Sequence, residues 1–405
     1  MDELAREYLL VALGVGRLQD GFVDAYYGPP ELQTEAESRA ATAVQLADQA
    51  AELRRRLADE PDAQRRQWLD RQLVALETLA RRLGGEDIGY LEEVERCFDA
   101  RPEPTPAAVY AEVHRRLGDL LEPGPDLRRR VAQRGERLAV PADRLPAIVE
   151  WPTAEIRREC LRHLAAPAGE SLTVSLVTGE PWSAYNWYDG GLRSRIEINT
   201  DLPVRAPELI GLMTHECFPG HHLEHAWKEQ RLFHELGRAE ASVQLINTPE
   251  AYISEGLGEL GGKLIIDDVR WQELFEGICR RAGISLAPGE AARQREISRA
   301  LGELRSTSAD ASLLLHAERR PRAEVLGFVE HTALSTTQRA AKTLEFISHP
   351  LWRTYVFCYS GGERLLTDWC AAAGDLDAQR DRFFRLLTEQ LTPSALRESL
   401  APAAR

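Results

Sequence analysis

The chain contains no apolar run that approaches the roughly 20 residues of a membrane-spanning helix, no Cys-x-x-Cys pair, no internal repeat and no excess of positive charge. Each absence excludes something. Its first residues, Met1-Asp2-Glu3-Leu4-Ala5-Arg6-Glu7, are charged, so neither a signal peptide nor an anchor is visible, and a cytoplasmic protein without a membrane partner is expected. The six cysteines (Cys97, Cys160, Cys217, Cys279, Cys358, Cys370) are scattered, which suits reduced, buried thiols better than a disulfide frame. A net charge of −14 leaves no basic face for phosphates, so no nucleic-acid partner is expected. Nothing in the sequence indicates an oligomeric state.

What the chain does have is length and helix-forming pattern. With 405 residues and 43% hydrophobic content it can bury a large core, built as two or three lobes of one body. Residues 1–24 repeat apolar positions at helical spacing, and Gly28-Pro29-Pro30 stops them. Ala40 to Leu57 and Ala63 to Leu83 read as amphipathic helices whose charged faces meet solvent. The segment Gly21 to Pro30, which joins Tyr26 and Tyr27 to a rigid turn, reads from its residues as a helix end packed by two tyrosines. Near residue 165 the texture changes, dividing a helical region (1–165) from a second region (166–405) within one continuous body. Ser171 to Val177 and Arg193 to Asn199 alternate as strands do, with the aromatic-rich stretch Tyr185 to Gly191 read as the turn of a hairpin between them. The fold class expected is therefore mainly α, with a short hairpin or small sheet before the most unusual helix.

That helix carries Thr214-His215-Glu216-Cys217-Phe218-Pro219-Gly220-His221-His222-Leu223-Glu224-His225, four of the ten histidines within twelve residues. A metal-activated water needs a neutral imidazole on the ion and a carboxylate beside it to take a proton, and His215-Glu216 supplies both. In the usual His-Glu-x-x-His form the second imidazole follows one turn on, but Pro219 holds that position. On an undistorted helix His222 would return to the face of His215. If Pro219-Gly220 widens the helix by two residues, His221 takes the place instead. His225 lies one turn after His221 and faces the same way.

His215-Glu216-x-x-Pro219-Gly220-His221-His222 resembles the signature of a bacterial family known by a domain-of-unknown-function label, DUF885, whose fold is similar to that of the helical M32-type (Taq) metallocarboxypeptidases. The resemblance implies a zincin-like helical body and points to His221, since in related zinc peptidases with Gly-His at the end of the motif that histidine is the ligand. Ser254-Glu255-Gly256-Leu257-Gly258-Glu259 sits where the family has a Glu-Gly-Trp stretch, and Tyr359-Ser360-Gly361-Gly362 resembles its Tyr-Lys-x-Gly. The Trp of the one and the Lys of the other are absent. Thr248-Pro249-Glu250 is a strong helix start, so Glu255, matching the family's acidic position, becomes the third ligand. Glu259, one turn on, would orient a ligand imidazole.

Tyr359 is a candidate oxyanion donor. Arg353 or Arg364 would grip a terminal carboxylate in a carboxypeptidase. His316, after an apolar triplet, resembles a family histidine that could bind substrate, and His222 is a second candidate for substrate or ligand support. The reading is a hydrolase with one Zn²⁺ per chain held by His215, His221 and Glu255, with Glu216 as base, acting on a small peptide or amide. A non-peptide amide or ester substrate, or a metal-binding protein without catalysis, are the alternatives.

Overall fold

A computed structural model describes residues 1–180 and 182–401, and most of them are helical. Local capping chemistry sets the boundaries. Asp2 caps α1 (Glu3–Leu18), Thr42 and Gln45 form a capping box before Ala43–Arg56, and Asp62 accepts from two backbone amides at the start of Ala63–Leu83. The inward stripes of these helices, such as Tyr8, Leu69, Leu73 and Leu76, join residues from the other end of the chain, Phe275, Leu366, Trp369 and Phe383, in one apolar core. Each such side chain, fully withdrawn from water, contributes about 1.5–3 kcal/mol. A smaller cluster around Tyr110, Val131, Ile297 and Leu304 packs separately. Among the described residues no helix is long and apolar enough to cross a membrane.

Two small sheets lie within the helical body. Strand β1 (Val23–Tyr26) pairs antiparallel with a strand more than 200 residues away; β2 (Ser171–Val177), β3 (Ala184–Gly190) and β4 (Arg193–Asn199) form the other sheet in the order β2-β4-β3. The partner of β1 is β5 (Val243–Leu245). β2 runs parallel to β4, from Ser171 opposite Arg193, and β3 runs antiparallel to it, from Ala184 opposite Ile198.

Several expected elements take a different form. The aromatic stretch read as a hairpin turn is the strand β3 itself, because Tyr185, Trp187 and Tyr188 suit a pleated, half-buried surface. The turn is displaced to Gly191-Leu192, with Leu192 in the left-handed region at φ 61°. The first helix stops at Leu18, and Gly21, with φ 74°, turns the chain into β1. The sequence pattern over 288–318 reads as one long helix, but the structure interrupts it: Glu290–Glu303 leads through a tight turn to Thr307–Ser312 and then to a wide π-helical turn, Leu313–Ala317.

Candidate metal centre

Four helices carry the site: α2 (Ala206–Glu216), α3 (His221–Lys228), α4 (Pro249–Ile265) and α5 (Phe357–Ala371). Glu208 turns back to accept from the Arg205 amide at 3.1 Å and starts α2, whose buried face is Leu209, Ile210 and Met213. The proline does not widen this helix. It ends it: α2 stops at Glu216, the Phe218–Pro219 peptide is cis, and α3 restarts at His221. Gly220 is confined to glycine, since a Cβ there would collide with the carbonyl of His215. Restarting the helix at His221 brings its ring back over that of His215, the two standing edge to face with centroids 4.6 Å apart.

α4 supplies the third side chain. Thr248 caps it and Pro249 occupies its first turn. Its glycines lie where backbones and rings close in. A Cβ on Gly258 would stand 2.7 Å from the Cε1 and Nδ1 of His215, and one on Gly256 would meet the backbone of Gly362 in α5 at 2.5 Å. The cost of those glycines in helix propensity, up to about 1 kcal/mol each, is offset by contacts no larger residue permits.

Three side-chain tips converge as a result. His215 Nε2 lies 3.1 Å from His221 Nε2 and 3.2 Å from Glu255 Oε2, and His221 Nε2 lies 3.7 Å from Glu255 Oε1. A tetrahedral ion with ligands about 2.0–2.1 Å away sets those ligands roughly 3.3 Å apart. The set could hold such an ion. Glu255 Oε2 is buried and finds no hydrogen-bond partner among the described residues, as an atom reserved for a cation would.

The surroundings orient these groups. Glu224, wholly buried, lies 3.4 Å from His221 Nδ1 and accepts from Ser254 Oγ at 2.6 Å and Lys228 Nζ at 2.6 Å. A carboxylate on Nδ1 favours the tautomer that leaves Nε2 free as a ligand. Tyr355 donates to Glu255 Oε1 at 2.6 Å. His225 stacks on His221 with planes 9° apart and meets Gln244 at 2.7 Å. Glu259 stands 3.8 Å from His215 Nδ1, outside hydrogen-bond range, and its other oxygen pairs with Arg305.

A cavity of about 110 Å³ opens beside the cluster, walled by Asp24 of β1, Tyr185 and Asn186 of β3, Glu216, Tyr355 and Tyr359 among others. Burial raises the Glu216 carboxyl above its ordinary range, against the pull of His215 and His221. Burial also works against a charged His221, but the Glu224 hydrogen bond and the Glu255 and Glu216 carboxylates prevail and raise it to about 10. The local field thus favours positive charge, which a divalent cation also supplies. Burial lifts the Tyr359 phenol well above 10, so it stays protonated and can donate. Burial raises Asp24 to about 6, opposed by the hydrogen bond from Tyr185.

Four residues nominated from the sequence stand outside this constellation. His222 is turned the other way, fully buried between Ser194 Oγ at 2.8 Å and Glu170 Oε2 at 2.9 Å, because the restarted helix aims consecutive residues about 100° apart. His316 bonds the Ile347 carbonyl at 2.6 Å and packs on Tyr90, 4.9 Å between centroids. Arg353 pairs with Glu93 and lies 5.2 Å over the Tyr90 ring. Arg364 is exposed and 3.7 Å from Glu103. None of the four lines the cavity. Conversely, Glu224, Ser254 and Tyr355 escaped notice. Glu224 falls three residues after His221, a spacing that could have flagged it, whereas Tyr355 gives no local signal.

Fold and site together define a mainly helical protein with a largely buried His-His-Glu cluster that could hold a metal ion. No protein-family model matches the chain, and no curated protein matches its sequence. Solved structures share the fold. One, from Colwellia psychrerythraea and described as a lipoprotein, is 15% identical with TM-score 0.55, over 89% of this chain and 67% of its own. Another, from Shewanella oneidensis and described as a lipoprotein of unknown function, is 12% identical with TM-score 0.52, over 95% and 77%. The M32 carboxypeptidase of Deinococcus radiodurans R1 aligns at 12% identity and TM-score 0.47, over 98% and 94%, too distant to carry its activity across.

Proposed function

We propose that the protein is a zinc-dependent hydrolase of the metallopeptidase type, one ion per chain, cleaving an amide bond in a small peptide. The observation that supports this most is the meeting of His215 Nε2, His221 Nε2 and Glu255 Oε2 beside a cavity that Glu216 also lines. The motif's likeness to DUF885 proteins points to the same chemistry. When bound, the ion would polarise the scissile carbonyl and bring the pKa of a water down towards about 7.

The chain's own residues do the rest. Glu216 accepts the proton at its carboxylate and returns it to the departing amine nitrogen. Tyr359, held protonated, donates to the carbonyl oxygen as negative charge develops there. Glu224 and Tyr355 hold His221 and Glu255 in place. Substituting Glu216→Gln keeps size and ligands, so zinc content should stay at one per chain while peptide hydrolysis falls by about 10²–10⁴-fold. Undiminished turnover by that variant overturns the assignment.

A further inference from the structure

The cavity wall is rich in carboxylates and poor in ammonium and guanidinium groups. Five carboxylates line it, Asp24, Glu216, Glu224, Glu250 and Glu255, against a single ammonium, Lys228, and no arginine is among the described lining residues. In the proposed reaction Glu255 binds the ion and Glu216 handles the proton. Lys228 is already shared between Glu224 at 2.6 Å and Glu250 at 2.7 Å. Asp24 is different: its described partner is the neutral hydroxyl of Tyr185, and no cationic side chain is paired with it among the described residues.

A second observation on the same wall is independent of charge. Asn186 is only 6% exposed, and its Nδ2 donates to the backbone carbonyl of Glu216 at 2.7 Å. Because a carbonyl can only accept, that contact fixes which end of the amide is which. Oδ1 is left as a buried acceptor with no donor among the described residues, on a side chain that lines the cavity. A buried acceptor left unmatched costs about 1–3 kcal/mol, and such groups are ordinarily matched by something.

We propose that the cavity recognises a primary ammonium group of its substrate, seated against Asp24, with an N–H of the same substrate donating to Asn186 Oδ1. The inference rests on the hydrolase reading and gives it a substrate class: peptides carrying a free amine, and not peptides held by a terminal carboxylate. A carboxylate brought into this cavity would meet Asp24, Glu216 and Glu250, and among the described lining residues no free ammonium or guanidinium would receive it. The placement of Arg353 and Arg364, both engaged elsewhere, agrees with this. An ammonium has two sources, the amino terminus or a lysine side chain, and the chemistry at Asp24 is the same for both.

The test is calorimetric binding to zinc-loaded Glu216→Gln protein, with wild-type hydrolysis of the same ligands followed in parallel. The ligands are a dipeptide amide with a free amino terminus, its N-acetylated form, the N-acetylated peptide with a free carboxylate, and N-acetyl dipeptide amides carrying lysine or norleucine. At least one amine-bearing ligand should bind about tenfold or more tightly than its neutral counterpart, and the arm that does so identifies the source. Adding Asp24→Asn, the same shape without the charge, should shrink that preference to within about twofold at unchanged zinc content. Equal binding of all ligands, no binding of any, a preference for the free carboxylate, or a preference that survives Asp24→Asn overturns the proposal. Turnover without the preference sinks this inference alone, whereas the preference without turnover of any ligand sinks the hydrolase reading.

Discussion

Replacing Glu224 by Gln tests whether the metal cluster is held by its neighbours or merely surrounded by them. The carboxylate is wholly buried and accepts from three donors: Lys228 Nζ, Ser254 Oγ and, more distantly, His221 Nδ1. A glutamine of the same shape keeps one acceptor and turns the other into an NH₂ that must face one of these donors. Removing one partner of a buried ion pair costs about 3–5 kcal/mol. Lys228 retains Glu250 at 2.7 Å, so the lower end, about 3 kcal/mol, is expected.

The second effect falls on the ion. Loss of the carboxylate that fixes a ligand imidazole weakens metal binding by about 10–100-fold. Burial opposes ionisation of Glu224, yet Lys228 and His221 hold it below the usual carboxylate range. Its contribution to stability is thus complete above the ordinary carboxyl pKa of about 4.3 and is lost only as pH falls through the lower folded-state value. Measurements at pH 7 therefore read the fully charged state. Urea unfolding gives the stability change, and competition with a chromogenic chelator gives zinc affinity. Lower stability with unaltered zinc affinity would show that Glu224 anchors the helix without orienting His221, and the orienting argument would fail.

Other substitutions separate ligands from scaffold. His221→Ala should abolish stoichiometric zinc binding, while His222→Ala should keep the zinc and lose about 2–4 kcal/mol of stability by stripping partners from buried Ser194 and Glu170; elemental analysis beside thermal unfolding distinguishes them. Gly258→Val should push α4 off the His215 ring, costing about 1–3 kcal/mol and most of the bound zinc, read by melting and metal content. Tyr355→Phe should cost about 1–1.5 kcal/mol in urea unfolding by removing the donor to Glu255 Oε1, with a fewfold loss of zinc affinity in a chelator competition.

Much of the local structure could be read from the chain because its signals are short-ranged. Period-two alternation located Ser171–Val177 and Arg193–Asn199, which are strands with those bounds. Thr248-Pro249 announced α4, and Ala63 to Leu83 is one helix between its expected ends. The motif placed His215 and Glu216 on one helix but could not say how Pro219 would act. A widened helix and a broken one both satisfy its spacing, and the broken one won because Gly220 lets the chain pass against the His215 carbonyl where any side chain would collide.

The residues that give the cavity its character come from segments with almost no local signal. Val23–Tyr26 has too few residues to alternate convincingly, and it becomes a strand only because Val243–Leu245 offers an edge more than 200 residues later. That pairing carries Asp24 into the wall beside Tyr185, while β3, with its single neighbour β4, lends Asn186 to the same wall. Two of the three side chains that could hold an ion, His215 and His221, thus come from one compact motif, and the third, Glu255, comes from a helix with a clear start signal. Much of the rest of the cavity wall comes from three distant strands and the first turn of α5, and their side chains meet only when long-range pairing sets them around a common space. Substitutions in β1 and β3 should accordingly change which ligand is chosen while leaving the bound zinc in place, whereas substitutions in α2, α3 and α4 should change both.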